Sequence, residues 1–342
     1  MKLGRHVGRH DGVSGSLLVA EIGNNHEGSL EVARRMVRVA AECGVHAVKF
    51  QTYRTDRFIR RSDHERYQRM EGFELPISAF SELAEEARSL GLAFISTPLD
   101  VESASHLVPI VDAFKIASGD ITHFPLIKEI CRSEKPVIIS TGCSHLSEVK
   151  TAVEFIRSQW NDLGHRGELA VLHCVSSYPA PVEEANLRVM DTLADALRCE
   201  VGYSDHTVGA LACLLAASQG AAIIEKHFTL DNNWSEFRDH ALSANPDLMA
   251  EIARTIREVS AVLGNGMKSV TPSEEVNIEA IRRSIVTVTG LQAGHRIERG
   301  DLGWMRPGTG IAPGEEDRVI GGRLLVDATA GENLTTGMLS WD

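Results

Sequence analysis

The chain has 342 residues, of which 43% are hydrophobic, and a formal net charge of −12. That length accommodates two domains, or one large domain and a small one, with a full core. The acidic balance argues against a nucleic-acid partner, which needs a basic face, and no apolar run approaches the roughly 18 residues of a membrane span.

Residues 1–16 have no apolar centre, so they read as a flexible arm and not as a signal peptide. After them come eight apolar runs, each closing in a polar cluster: 17–26, 47–53, 93–98, 113–120, 136–142, 169–179, 200–207 and 222–229. Parallel strands covered on both faces need apolar side chains on both faces, which is how these runs read. Between them lie amphipathic stretches. Ser29–Cys43 predicts the first helix, with Ser29 as cap, Val32, Met36, Val39 and Ala40 as a stripe and Gly44 as stop. Further helices are expected over Ile77–Leu90, Val101–Leu107, Phe124–Cys131, Leu146–Trp160, Leu187–Leu197, Val208–Ser218 and Pro246–Leu263. Eight strand–helix repeats over 17–265 imply an α/β fold, a closed TIM (β/α)8 barrel whose site lies at the C-terminal ends of the strands.

From 266 to 283 the chain turns polar, contains Pro272 and reads as a linker. Over 284–342, short β-like runs alternate with glycine turns. Leu291–Leu302 and Ala328–Leu339 share the frame Ala-Gly-x-x-apolar-x-x-Gly-x-Leu, which points to a small pseudo-symmetric β-domain. The six cysteines, Cys43, Cys131, Cys143, Cys174, Cys199 and Cys213, show no C-x-x-C spacing and suit reduced thiols in a cytoplasmic protein.

The strand ends carry Glu21, Lys49, Gln51, Thr97, Lys115, Ser118, Ser140, Ser176, Tyr178, Ser204, His206 and His227. His206 and His227 close adjacent strands. They either share a borderline divalent ion such as Mn²⁺ or are two hydrogen-bonding histidines without metal. Lys49 and Gln51 share a strand face. Lys115 stands inside an apolar run, where an unpartnered ammonium is costly. Either the two lysines serve a doubly or triply anionic ligand, helped by Thr97, Ser118, Ser140 and Ser204, or Lys115 pairs with Asp120 or Glu21. Glu21 is a candidate base or partner of a metal-bound water. Asp239 lies on the loop after the last barrel strand and reads equally as a substrate contact or a turn residue. Arg306, in Met-Arg-Pro-Gly, sits in a shaped loop of the tail, and spacing does not distinguish a solvated arginine from an anion clamp.

The ordered motifs Ala20–Gly28 (AEIGNNHEG), Val48–Thr52 (VKFQT), Ser96–Pro98, Lys115–Gly119 (KIASG), Ser140–Gly142, His173-Cys174 with Tyr178-Pro179, Gly202–His206 (GYSDH) and Glu225–Thr229 (EKHFT) resemble the sialic acid (N-acetylneuraminate) synthase family. The tail resembles that family's antifreeze-like (SAF, β-clip) domain. The match covers nearly all of the chain after about residue 17. It implies an enzyme that condenses phosphoenolpyruvate with the open-chain aldehyde of an N-acyl hexosamine, such as N-acetylmannosamine, giving a nine-carbon 2-keto acid and phosphate.

By that resemblance His206 and His227 bind Mn²⁺ or Mg²⁺. Lys49, Thr97, Lys115, Ser118, Ser140, Ser176 and Ser204 match positions that hold phosphoenolpyruvate. Gln51, Asp120, Tyr178 and Asp239 match positions facing the sugar, and Glu21 the acid beside the reacting carbons. Arg306 matches an arginine that reaches the other subunit's site, so a domain-swapped homodimer is implied. The chain departs from the pattern at Phe237-Arg238-Asp239, where Gly-Pro-Asp is frequent, at Asp120, where glutamate is usual, and at Ser176, where asparagine is common. The acceptor sugar therefore stays open, with legionaminic, pseudaminic or other 3-deoxy keto acid synthesis as the alternative and a Schiff-base aldolase through Lys49 or Lys115 as a rival mechanism.

Overall fold

The computed structural model describes residues 15–341. Residues 1–14 of the expected N-terminal arm lie outside the described residues.

Eight parallel strands close into a barrel in chain order. They are β1 (Leu17–Gly23), β2 (Ala47–Thr52), β3 (Ala93–Pro98), β4 (Ala113–Ile116), β5 (Val137–Ser140), β6 (Leu169–Cys174), β7 (Glu200–Asp205) and β8 (Ile223–His227). β8 returns to β1 in register, with Leu17 opposite Ile223 and Glu21 opposite His227. Side chains alternate between the barrel interior and the helix layer. Leu18, Ala20, Val48, Phe50, Phe94, Phe114, Ile139 and Ile224 face outward into the main core with the helices. Leu17, Val19, Ala47, Ile95, Ala113, Ile138, Ala170, Leu172 and Ile223 fill the interior as a separate apolar layer. β7 contributes Gly202 to that level, where a Cβ would stand 2.2 Å from the Ile223 carbonyl oxygen, so only glycine lets β7 and β8 approach so closely.

That alternation positions the site. Two residues beyond the last apolar interior position of six strands, the same face turns polar: Val19 leads to Glu21, Ala47 to Lys49, Ile95 to Thr97, Ala113 to Lys115, Ile138 to Ser140 and Ile223 to Glu225 and then His227. The barrel is plugged with hydrocarbon below and lined with polar groups at its C-terminal mouth.

The surrounding helices are α1 (Leu30–Glu42), α2 (Thr55–Phe58), α3 (His64–Phe73), α4 (Ile77–Ser89), α5 (Val101–Leu107), α6 (Phe124–Cys131), α7 (Leu146–Leu163), α8 (Val189–Leu197), α9 (Leu211–Ser218), α10 (Arg238–Leu242) and α11 (Pro246–Leu263). Ser29 caps α1, accepting from the Val32 N–H at 3.3 Å. α9 begins three residues later than expected, because Gly209 occupies a left-handed turn at φ +87° that no helix accommodates. α2, α3 and α10 are not expected from the sequence. α3 is polar almost all round and buries only Met70, so it has no stripe to read.

A second compact unit spans Gly266–Asp342. Residues 266–283, read above as a linker, hold two helical turns, α12 (Pro272–Glu275) and α13 (Ile278–Ile281). The Glu279 carbonyl accepts from the Gly308 N–H at 2.7 Å, which ties α13 to the rest of this unit. β9 (Ser284–Thr287) pairs antiparallel with β10 (Leu302–Met305), and β11 (Arg323–Leu324) with β12 (Leu339–Ser340). The sequence repeat is structural: Leu291 and Ala328, the first residues of its two copies, pair with each other through two 2.8 Å hydrogen bonds. The apolar anchors Ile297 and Leu334 are 1% and 0% exposed. Among the described residues, no helix is long and apolar enough to cross a membrane.

Candidate functional site

Four ionic groups meet inside the barrel mouth. Lys49 Nζ lies 2.8 Å from Glu21 Oε2, 3.6 Å from Glu225 Oε1 and 3.3 Å from Thr97 Oγ1. Lys115 Nζ lies 3.7 Å from the same Glu225 oxygen. Ser204 Oγ donates to that oxygen at 2.9 Å. Lys49, Lys115, Glu21 and Glu225 are each 5% exposed or less. The two lysines thus share one side of the sheet. The sequence offered Asp120 or Glu21 as the partner of Lys115. The partner is Glu225, while Asp120, on the short 3-10 turn Ser118–Asp120, has the His123 ring 3.7 Å away. Glu225 was missed, although it follows Ile223 and precedes His227 on the inward face, and a charged residue there is the signal.

The two carboxylates differ in environment. Burial alone would raise Glu225, but Lys115 and Lys49 outweigh it and hold the carboxyl at about 2. Burial dominates at Glu21, where Lys49 offsets it only in part and the Glu225 charge adds to it, so Glu21 lies above the usual carboxylate value. Burial pulls Lys49 down, but Glu21 and Glu225 more than reverse this. At Lys115 burial prevails and the ammonium lies below its ordinary value. Two neighbouring carboxylates pushed in opposite directions by their surroundings are a pattern of acid–base sites.

Beside the lysines is a hydroxyl nest. Ser118 Oγ accepts from the Gly142 N–H at 3.0 Å. A Cβ on Gly142 would fall 2.1 Å from Ser176 Oγ and 3.0 Å from Ser118 Oγ, so the glycine leaves room for both hydroxyls to converge. Ser140 Oγ is buried with no hydrogen-bond partner among the described residues. Buried polar groups are normally paired, and an unpaired one on the inward face of β5, in the mouth that also holds the two ammonium groups, is suited to an anionic ligand.

Above this cluster stand the histidines, with ring centroids 5.3 Å apart. His206 Nδ1 lies 2.7 Å from the Val175 carbonyl oxygen. That oxygen only accepts, so Nδ1 is assigned the proton and Nε2 a lone pair. His227 Nδ1 has no hydrogen-bond partner among the described residues, and the Asp239 carboxylate is 4.0 Å away. Burial pushes His227 down to about 3, which keeps its ring neutral. Burial also lowers His206, but Cys174 and the Val175 carbonyl more than compensate and leave it above its usual value.

Among the described residues, no group of three or more His, Cys, Asp or Glu is arranged to hold a metal ion. The pair nevertheless fits two ligands of an ion completed by water or substrate. His206 has one nitrogen hydrogen-bonded to a carbonyl oxygen, the outer arrangement usual for ligating histidines, while the Asp239 carboxylate stands 4.0 Å from His227 Nδ1 without a hydrogen bond. The ring spacing suits two imidazoles sharing one ion at metal–nitrogen distances of about 2.1 Å.

The outer wall is a cavity of about 510 Å³ lined by Asn24, Gln51, Tyr178, His227, Arg238 and Asp239, with Phe58, Arg66, Arg69, Met70 and Phe237 farther out. Gln51 bridges this wall to the ionic cluster, donating to Glu21 Oε1 at 3.2 Å and accepting from Asn24 Nδ2 at 2.9 Å. Tyr178 packs at a tilt of 34° against His206 with centroids 4.2 Å apart, and the Arg238 guanidinium lies over the Tyr178 ring at 4.7 Å. Asp239 belongs to α10 and is 8% exposed, so the turn reading does not hold for it. Arg66 and Arg69 come from α3, a helix with no apolar stripe, so nothing in the residue pattern announces them. Arg306 lies in the second unit, exposed, on the loop between β10 and the Gly308 contact to α13.

The model of the NeuB family matches residues 36–268, and that of the SAF domain residues 282–340. An uncharacterised protein of Methanocaldococcus jannaschii is 42% identical, over 91% of this chain and 90% of its own. The N,N'-diacetyllegionaminic acid synthase of Legionella pneumophila is 38% identical, over 93% of this chain and 92% of its own. Among solved structures, the N-acetylneuraminic acid synthetase of Leptospira borgpetersenii, in complex with citrate, superimposes with a TM-score of 0.71 at 34% identity, covering 78% of this chain and 90% of that one.

Proposed function

The chain belongs to the NeuB family, and from that membership we propose that it is a nonulosonate synthase, condensing phosphoenolpyruvate with the open-chain aldehyde of an N-acyl hexosamine to a nine-carbon 2-keto acid and phosphate. The observation that carries this reading is the convergence of two buried lysines on a single oxygen of Glu225, directly below the His206–His227 pair. Glu21 and Glu225 offset the two buried ammonium groups, and an anionic ligand is the kind that competes for them.

In this reading phosphoenolpyruvate enters as a trianion and takes over the lysines from their carboxylates. Lys49, Lys115 and Thr97 hold charge on one side, and Ser118, Ser140, Ser176 and Ser204 offer hydroxyls on the other. A divalent ion, Mn²⁺ or Mg²⁺, bound by His206 and His227 would supply Lewis acidity toward the aldehyde oxygen. Carbon 3 of phosphoenolpyruvate forms the new bond to the aldehyde carbon. Water adds at carbon 2 and the carbon–oxygen bond to phosphate breaks to leave the ketone; of the two protons that water gives up, one ends on the former aldehyde oxygen and one on the departing phosphate. Glu21, beside the reacting carbons in this reading, relays to the aldehyde oxygen, as that oxygen becomes a hydroxyl, one of the protons that the attacking water gives up. Gln51, Tyr178 and Asp239 face the sugar in the 510 Å³ cavity, and Asp120 is proposed at its edge by likeness to the family. Arg238 is the group with which this chain reads the acceptor's substituents.

The test is phosphate release from phosphoenolpyruvate with a panel of N-acyl and di-N-acyl hexosamines, with Mn²⁺ and with chelator. Release that depends on both sugar and metal is expected. Absence of release with every sugar in the presence of Mn²⁺ would overturn the reading.

A further inference from the structure

Between the two histidines, on the opposite face of the sheet, lies an ion pair that no step above uses. His206 and His227 point into the barrel, so their chain neighbours Asp205 and Lys226 point out, toward α9. Asp205 and Lys226 are direct partners across β7 and β8. Their side chains are 0% exposed, with Lys226 Nζ 2.7 Å from Asp205 Oδ2. Asp205 Oδ1 accepts from the Thr207 N–H at 2.8 Å, and Lys226 Nζ donates to the Thr207 carbonyl oxygen. Cys213 of α9 donates its thiol to Asp205 Oδ2 at 3.2 Å. Both polar backbone groups of the residue after His206 are therefore held by this pair, and one member of the pair precedes each histidine.

Stability does not explain the pair. Fully buried ion pairs are often replaced by apolar side chains with no loss, and Ala212, Ala216 and Ile224 are buried apolar residues of the core on this side of the sheet, where the Tyr203 hydroxyl is a further polar group that faces Asp205. What an ion pair adds over leucine or methionine is direction. It fixes the register of two strand ends and the course of the chain beyond them. A shared ion needs its ligand distances held within about 0.2 Å, and strand ends are where a barrel is least constrained.

We propose that the Asp205–Lys226 pair positions His206 and His227 for a shared divalent ion, acting from behind the sheet without touching it. This rests on the metal-binding reading of the two histidines.

The experiment is a titration of the metal-free protein with Mn²⁺, following free Mn²⁺ by electron paramagnetic resonance, with thermal melting in chelator as the measure of the fold. The variants are Asp205→Asn with Lys226→Met, which removes both charges together, and Lys226→Gln alone. The double variant is expected to melt close to the wild type and to bind Mn²⁺ roughly 10- to 100-fold more weakly, the usual effect of losing groups that orient ligating histidines. A folded double variant with wild-type affinity overturns the proposal. Should the double variant not fold, Lys226→Gln decides by the same titration, and unchanged affinity there overturns it too. Failure of the wild type itself to bind Mn²⁺ is a separate result that removes the metal reading and this proposal together.

Discussion

Ser140 is the residue at which the cost of function is easiest to isolate. Its hydroxyl is buried and unpaired among the described residues, so the fold gains nothing from its hydrogen-bonding capacity. Ser140→Ala is expected to leave the melting temperature unchanged or raise it, and to raise the KM for phosphoenolpyruvate roughly 10- to 150-fold, since a hydrogen bond to a charged group contributes roughly 1.5–3 kcal/mol. Steady-state kinetics beside a thermal melt separates the two effects. A lowered melting temperature with unchanged KM would show the hydroxyl to be structural. The same contrast runs through the ionic cluster: Lys49 and Lys115 are visible in the sequence because an ammonium interrupts an apolar run, and Glu225 is hidden because its meaning depends on which lysines lie across the barrel.

At the scale of elements, the loops above the barrel are as tightly built as the strands. The β1–α1 loop is tied to the chain beyond β8: Asn25 Nδ2 donates to the Phe228 carbonyl at 2.8 Å and to Ser243 Oγ at 3.1 Å. Glu27 Oε1 contacts His240 Nε2 at 3.2 Å, and His240 Nδ1 lies 2.7 Å from Thr229 Oγ1. This network fastens α10, and with it Asp239, over the mouth. His26 in the same loop accepts from the Gly28 N–H at 3.0 Å, and its Nε2 is buried without a partner among the described residues. Burial lowers its pKa from 6.5 to about 4. Between those values the unfolded chain binds a proton that the folded one does not. Stability therefore rises with pH across this window and is lost as pH falls from 6.5 toward 4. The contribution is about 3 kcal/mol. Urea unfolding of wild type and His26→Gln at pH 7 and pH 4.5 should show the variant losing about 2–3 kcal/mol less on acidification. Equal losses would mean that another group carries the acid sensitivity.

At the scale of the molecule, two compact units share one chain, and Arg306 is an exposed residue of the smaller one. If the enzyme is a domain-swapped dimer, a subunit carrying Arg306→Ala and one carrying Lys115→Ala, each inactive alone, should regain part of the activity when mixed, because one site in the mixed dimer has both residues. No recovery after subunit exchange, shown by mass spectrometry, would place Arg306 in its own subunit's site or outside catalysis. The sequence by itself determined the barrel, since a run that is apolar on both faces can satisfy its backbone and side chains only as a covered parallel strand. It also determined the internal repeat of the tail, and the inward positions of His206, His227, Lys49 and Lys115, because alternation along a strand is a local rule. Only the tertiary structure decided that both lysines share Glu225, that Ser118 and Ser176 converge over Gly142, that α3 brings arginines to the mouth, and that Asp205 and Lys226 meet behind the histidines. Those are relations between residues far apart in the chain. They are set by closure of the sheet and by loops whose polar residues obey no period, so the physics that fixes them acts through space and leaves no pattern along the sequence.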